Sequence, residues 1–120
     1  MSDVTVHIDK VMQELRRGTI TIGVLSQLSE PQYGYSLVSK LNDKGIQVEA
    51  GTLYPLLRRL EKQGLLMSEW DTNEARPRKY YLLSDLGKQV FQQLCDEWNG
   101  IVSSLDGLLK GEGGKKNGSD

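Results

Sequence analysis

The sequence predicts a mainly helical fold with one small β-hairpin, and three observations lead to this prediction. Apolar residues recur at helical spacing through most of residues 9–63. The period changes over residues 65–83, where two strand-like segments flank a polar loop. A further helical pattern covers residues 85–109. The 120 residues, 38% of them hydrophobic, suffice for one domain with a small core.

The first helix is predicted over residues 9–28, with Asp9 as its N-cap. Gly18 lies inside the pattern and weakens the helix by about 1 kcal/mol relative to alanine. Pro31 ends the helix, because a residue that precedes proline avoids the helical region. The apolar positions that define this helix are Ile8, Val11, Met12, Leu15, Ile22, Leu25 and Leu28.

Two shorter helices follow. Residues 34–44 form the second, and Gly45 behind it is a C-cap signal. Residues 50–63 form the third, which Gly64 closes. Its leucines Leu53, Leu56, Leu57 and Leu60 share one face on a helical wheel, so we assign that face to the core.

Strands are predicted over residues 65–70 and 79–83, joined by a polar loop. Ser84 then caps a long helix over residues 85–109. Three helices followed by a two-stranded hairpin are the outline of a winged helix-turn-helix. We therefore divide the chain into a winged helix-turn-helix over 1–84, whose first helix also joins a dimer, a dimerisation helix over 85–109 and a disordered tail over 110–120, which has no apolar residue.

The exposed face of the third helix is the first candidate for a binding surface. Gly51 and Pro55 are small enough to allow close approach to a major groove. Arg58 has the reach for a phosphate or a guanine edge, and Lys62 has the reach for a phosphate. On this helix alone, a solvated amphipathic face is the simpler interpretation.

The hairpin loop supplies a second cationic element. Arg76, Arg78 and Lys79 place three cations within four residues, a composition suited to contacts with the nucleic-acid backbone. Acidic residues nearby, such as Glu74, oppose this interpretation because they repel phosphate. The alternative is a charged turn that protects edge strands from aggregation. Two cationic elements in winged-helix order favour DNA binding more than either does alone.

Composition excludes several other classes. Fifteen basic and sixteen acidic residues give a net charge of −1, so the chain is not a bulk polycation. The single His7 and single Cys95 exclude an internal disulfide and a clustered zinc site, and they leave no support for His-dependent catalysis. We predict no metal, no cofactor and no enzymatic activity. No apolar run approaches the ~20 residues of a membrane span, and no secretory signal is recognised, so we expect a cytoplasmic protein.

Three segments resemble the PadR family of bacterial transcriptional regulators. They are RGTITIGVLSQLSEPQYGYSLVSKL, GTLYPLLRRLEKQGLL and ARPRKYYLLSDLG, which together span about residues 15–88. The resemblance implies a dimeric repressor of the short subgroup, which has one C-terminal helix. It also implies a double-stranded DNA operator as partner. The alternative is a winged-helix protein–protein interaction module that does not bind DNA.

The resemblance also implies which residues face DNA. Three positions depart from the family pattern: Ala75 replaces a glycine at the tip of the wing (the predicted hairpin over residues 65–83), Leu82 replaces an arginine, and Glu49-Ala50 replaces a serine-rich helix start. The residues expected at the DNA are Tyr35, Thr52, Tyr54, Pro55, Arg58 and Lys62, with Arg76, Arg78 and Lys79 on the wing.

Apolar residues of the long helix recur at alternating spacings of three and four, which is an a/d stripe. Much of this stripe lies beyond the reach of a small winged domain, and a second copy of the chain is the simplest partner. A dimer also suits a palindromic operator. The predicted interface comprises Phe91, Leu94, Trp98, Ile101, Leu105 and Leu108, with Ile8 and Met12 from the first helix.

Trp98 has two interpretations. Its position within the stripe favours core or dimer packing. In short PadR-like regulators, however, a tryptophan on this helix lines a cavity at the dimer centre and stacks on flat aromatic compounds. The resemblance therefore implies an effector site formed by Trp98 with Leu15, Thr19, Cys95 and Val102.

Overall fold

A computed structural model describes residues 3–114 of the chain. Its helices are α1 (Asp3–Ser26), α2 (Gly34–Asp43), α3 (Ala50–Lys62) and α4 (Asp85–Gly114). Its strands are β1 (Gln32–Tyr33), β2 (Leu66–Asp71) and β3 (Arg78–Leu83). The predicted fold class is confirmed: three helices, a β-hairpin and a long C-terminal helix follow one another in the expected order.

Two predicted helix ends are wrong by five or six residues, and the others lie within two residues of the prediction. α1 begins at Asp3 rather than at residue 9, so Asp9 lies inside the helix and is not its N-cap. α4 continues to Gly114, so residues 110–114 of the predicted tail are helical, whereas residues 115–120 lie outside the described residues. Once a helix has formed, each added residue gains a hydrogen bond without a new nucleation step, so a helix can extend past the last residue of its apolar pattern.

The sheet has three strands in the order β1-β3-β2, and both pairs are antiparallel. β2 and β3 form the predicted hairpin, with Leu66 opposite Leu83 and Asp71 opposite Arg78. β1 was not predicted, and it pairs Tyr33 with Tyr80. The hairpin is thus attached along β3 to the segment that leads into α2.

The core lies entirely in the winged helix-turn-helix part of the chain. The four leucines predicted for the buried face of α3 are all buried, which confirms that prediction. A backbone hydrogen bond of 2.8 Å from the Leu83 nitrogen to the Leu28 oxygen joins the sheet to the turn that follows α1. The buried hydrophobic residues are Ile20, Val24, Leu25, Leu28, Leu37, Leu41, Val48, Leu53, Leu56, Leu57, Leu60, Leu66, Tyr81 and Leu83.

The start of α4 is fixed tightly to the end of α3. Ser84 caps α4 as predicted, because its hydroxyl oxygen accepts a hydrogen bond of 2.9 Å from the Gly87 nitrogen. The same hydroxyl donates to the Gly64 carbonyl at 2.6 Å, and the Ser84 nitrogen donates to the Leu65 carbonyl at 3.0 Å. Gly87 is buried, and a Cβ there would collide with the Leu65 carbonyl oxygen. Gly64 has a φ of +84°, a conformation that favours glycine.

Beyond this junction, α4 stays in contact with the core only over its first part. Phe91 and Leu94 are half-buried and pack against the core of their own chain. Farther along, Ile101, Leu105 and Leu108 are exposed. None of the helices in the described part of the chain is long and apolar enough to cross a membrane.

Candidate nucleic-acid interface

The outer face of α3 carries small residues first and cations afterwards. Thr52 and Pro55 are exposed near its N-terminus, and Arg58, Arg59 and Lys62 are exposed along its length. None of these three cations forms an ion pair with any residue described by the structure. Because the opposite face is filled by core leucines, the helix presents this face outward. The cations are therefore available to an anionic partner.

Tyr54 is the exception among the predicted contact residues of α3. Its ring is half-buried, packs against the core and lies over Gly34 at the start of α2. A Cβ on Gly34 would lie 2.6 Å from the Cζ and Oη atoms of Tyr54, so only glycine fits there. The close packing of the Tyr54 ring on Gly34 thus fixes the angle between α2 and α3.

The three cations of the wing have different surroundings. Arg76 lies in the exposed loop between β2 and β3 and forms no ion pair within the described residues. Lys79 is 3.8 Å from the Glu61 carboxylate and lies over the rings of Trp70 and Tyr81, at 5.8 and 5.6 Å from their centroids. Lys79 is therefore oriented toward α3, whereas Arg76 is unrestrained.

Arg78 contacts two aromatic rings, and these contacts were not predicted from the sequence. Its guanidinium carbon lies 4.4 Å from the centroid of the Tyr33 ring, and Nη1 donates a hydrogen bond to the Tyr35 hydroxyl. Nη2 also forms an ion pair of 3.1 Å with Glu74. The rings of Tyr33 and Tyr35 stack with an interplanar angle of 1° and a centroid distance of 5.7 Å. These contacts join the start of α2 to the wing.

A hydrogen bond between Tyr33 and Asp71 completes this aromatic cluster. The Tyr33 hydroxyl donates to the Asp71 carboxylate, which lowers the pKa of Asp71 and raises the pKa of Tyr33. The backbone nitrogen of Asn73 donates a second bond of 3.1 Å to the same carboxylate, which lowers its pKa further. The alternating Gln32-Tyr33-Gly34-Tyr35 segment gave no signal for these contacts, because Tyr33 and Asp71 are 38 positions apart.

A groove of about 690 Å³ connects the helix to the wing. Glu61, the acidic residue in its lining, accepts a hydrogen bond of 2.6 Å from Ser68 and pairs with Lys79, so its charge is already matched. The remaining lining residues are all cations. The groove therefore forms one continuous basic surface that runs from the α3 cations to Lys79 on β3, and it is lined by Arg58, Arg59, Glu61, Lys62 and Lys79.

The residues predicted for an effector lie elsewhere, on α1 and α4. Leu15 and Val102 are exposed, while Thr19, Cys95 and Trp98 are half-buried. The Thr19 hydroxyl donates to the Arg16 carbonyl at 3.2 Å, so it is directed back to its own helix. None of the five lines the groove between α3 and the wing. An effector at Trp98 would therefore act on the basic surface from a distance.

A three-helix winged domain with a continuous basic surface on its third helix and hairpin is the architecture of a DNA-binding regulator. Residues 22–93 match the family described as "Transcriptional regulator PadR-like family". The chain belongs to this family.

Similar proteins agree with this assignment. A PadR family transcriptional regulator from Eggerthella lenta is 48% identical, with a TM-score of 0.84 over 89% of this chain and 96% of the other. A PadR-like transcriptional regulator from Bacillus cereus is 31% identical, with a TM-score of 0.72 over 82% and 98% of the two chains. The transcriptional regulator Rv3488 of Mycobacterium tuberculosis is 35% identical over 68% of this chain and 78% of its own length.

Proposed function

We propose that the chain is a homodimeric repressor that places α3 in the major groove of a palindromic operator and the wing on the flanking backbone. The continuous basic surface between α3 and β3 carries this proposal, since it aligns the two elements that a winged helix uses on DNA. Arg58 contacts a base edge or a phosphate, and Lys62 contacts a phosphate.

The smaller contact residues have supporting positions. Thr52 and Pro55 lie at the exposed N-terminal part of α3, where the helix approaches the bases most closely. Tyr35 is 51% exposed at the end of the aromatic stack and lies beside the Arg78 guanidinium. Tyr54 contacts DNA only through the part of its ring that is not packed against the core. On the wing, Arg76, Arg78 and Lys79 contact phosphates.

The dimer is formed by the outer part of α4 together with α1. Ile101, Leu105 and Leu108 are 49%, 46% and 70% exposed at helical spacing, an arrangement that association of a second copy would bury. On α1, Ile8 is similarly exposed and Met12 is half-buried. The predicted interface residues Phe91 and Leu94 already pack against the core of their own chain. Only the surface that this packing leaves exposed is therefore available to the dimer.

The effector proposal follows from the family and from the position of Trp98. A planar aromatic compound would stack on Trp98 at the dimer centre, with Leu15, Thr19, Cys95 and Val102 around it. Such a ligand releases DNA only if it binds more tightly to a dimer geometry in which the spacing of the two α3 helices does not match the operator.

A protein–protein interaction module is the second candidate. The ion pair between Glu74 and Arg78 favours it, because it neutralises a wing cation that DNA binding would use. The net charge of −1 points in the same direction.

Fluorescence anisotropy separates the two functions. Labelled DNA from upstream of this chain's own gene is compared with a scrambled duplex of equal length at two salt concentrations. Preferential binding that weakens with salt supports the regulator. Absence of salt-dependent binding to either duplex supports the protein–protein module. Planar aromatic compounds added to the bound complex then test release. Quenching of tryptophan fluorescence in a Trp70→Phe variant, in which Trp98 is the remaining tryptophan, is the direct readout of binding.

A further inference from the structure

A second groove, of about 780 Å³, lies between α1 and α3. Three guanidinium groups, from Arg16, Arg17 and Arg59, line it against the single carboxylate of Glu49. None of the three arginines forms an ion pair with a residue in the described part of the chain. The groove therefore carries unmatched positive charge.

This groove opens onto the face of α3 that is proposed to enter DNA. Thr52 and Pro55 belong both to that face and to the lining of the groove. Arg59 takes part in both grooves, since it also lines the one next to the wing. The basic surface thus continues from the wing across α3 to α1.

The groove remains accessible in a dimer of the proposed kind. At about 100° per residue, Arg17 lies about 180° around α1 from Ile8, on the side opposite the apolar stripe. Gln13, which also lines the groove, lies about 140° from Ile8. Arg16 lies about 80° from Ile8, between the stripe and the groove. A partner that covers the stripe therefore leaves Gln13 and Arg17 facing away from it and has Arg16 at its edge.

We propose that this groove holds the sugar-phosphate backbone that flanks the major groove entered by α3, with Arg16 and Arg17 as phosphate contacts supplied by α1. The inference rests on the proposed function. Guanidinium groups bind phosphate oxygens through charge-assisted hydrogen bonds. Ile20 and Leu56 in the floor of the groove give the sugar an apolar surface. Glu49 opposes the anion, but three cations outweigh one carboxylate.

The salt dependence of DNA binding tests the inference. The Arg16→Gln/Arg17→Gln double variant is compared with wild type on the upstream fragment and on a random-sequence duplex of the same length. Two lost phosphate contacts lower the slope of log K against log salt by about 1.8, so between 50 and 200 mM salt the wild type loses about 12-fold more affinity than the variant. Because phosphate contacts carry no sequence information, the ratio of the two affinities stays unchanged.

Matched variants exclude simpler causes. Lys88→Gln/Lys110→Gln removes the same charge from exposed positions of α4 and is expected to leave the slope within about half a unit of wild type. Arg16→Lys/Arg17→Lys keeps the charge and is expected to retain most of the slope. Arg16 is half-buried, so the exposed Arg17→Gln variant is measured alone and should show about half of the effect, with an unchanged melting temperature.

Three results would overturn the inference. One is a wild-type slope in the Arg16→Gln/Arg17→Gln variant. Another is an equal loss of slope in the α4 control. A third is a loss confined to the upstream fragment, which would indicate base contacts. If wild type itself binds neither duplex in a salt-dependent manner, the proposed function fails as well, and the two failures are distinguished by the wild-type measurement alone.

Discussion

The guanidinium of Arg78 lies 4.4 Å from the centroid of the Tyr33 ring, and its Nη2 atom is 3.1 Å from the Glu74 carboxylate. A wing cation is therefore held between an aromatic ring and an acid before any DNA is bound. Arg76, two residues earlier, has no such partner among the described residues. The two arginines should consequently differ in how much they contribute to DNA binding.

We expect Arg76→Gln to reduce the salt slope of DNA binding by about 0.9, the value for one phosphate contact, and Arg78→Gln to reduce it by less. The Glu74→Gln variant should bind DNA more tightly than wild type, because it releases Arg78 and removes a repelling charge. Anisotropy titrations at four salt concentrations measure all three. Equal slopes for both arginine variants would show that Arg78 leaves Glu74 when DNA binds.

Arg58 on α3 should carry sequence readout. Arg58→Ala is expected to weaken operator binding by about 1–3 kcal/mol if the guanidinium contacts a base edge, and to reduce the preference over scrambled DNA. Lys88→Ala, on α4, serves as the control for a lost surface cation. A parallel loss on both duplexes would instead assign Arg58 to a phosphate.

Two glycine substitutions separate packing from DNA contact. Gly34→Ala brings a Cβ into the Tyr54 ring and should destabilise the fold by about 1–3 kcal/mol, the range for overpacking. Gly51→Ala meets nothing within 4 Å and should stabilise the fold by about 0.4–1 kcal/mol, yet weaken DNA binding because it thickens the exposed start of α3. Urea unfolding at fixed protein concentration and anisotropy give the two readouts. Normal stability of Gly34→Ala would contradict the close packing of α2 on α3.

The pair formed by Tyr33 and Asp71 predicts a pH-dependent contribution to stability. The hydrogen bond lowers the pKa of Asp71 below its value of 3.8 in the unfolded chain. Its stabilisation is therefore present above that value and is lost as pH falls through the lower pKa of the folded state. Wild type should be more stable than Tyr33→Phe at pH 7, and the difference should shrink toward pH 2. A difference that is constant with pH would assign the effect to ring packing with Arg78.

The outer part of α4 should control association. Leu105→Glu places a charge within the proposed interface and is expected to weaken dimerisation at least about tenfold, because an unpaired carboxylate resists burial. Ser103→Glu adds the same charge to a different face of the helix and should leave the dimer intact. Sedimentation velocity over a concentration series distinguishes them. A wild-type monomer at micromolar concentration would refute the dimer.

Periodicity predicted most of the helical framework and the core, because the leucines of α3 and the alternating strands follow local rules. Leu53, Leu56, Leu57 and Leu60 are spaced so that they share one face of an α-helix, and all four are buried. The sequence likewise predicted two cationic segments, one on the third helix and one on the wing, in the order that a winged helix requires. Such features depend on the local pattern of residue types along the chain.

Contacts between distant residues were beyond that reasoning. β1 consists of only two residues, and its strand character comes from pairing with Tyr80 and Tyr81 almost fifty positions later. The approach of Arg78 to Tyr35 spans 43 positions, and the fit of Tyr54 over Gly34 depends on the angle between two helices. The groove between α1 and α3 was missed for the same reason, since Arg16 and Arg59 meet only in three dimensions.

Because the junction at Ser84 and Gly87 is rigid, α4 acts as a lever arm that rotates the winged helix-turn-helix domain attached to its start. Its 30 residues extend about 45 Å, so a sideways shift of about 4 Å at the far end turns the attached domain by only about 5°. Trp98 lies thirteen residues along the arm, about 20 Å from its start, where a shift of only about 2 Å gives a similar rotation. A small displacement in the first half of α4 therefore reorients α3 as much as a larger one at the tip.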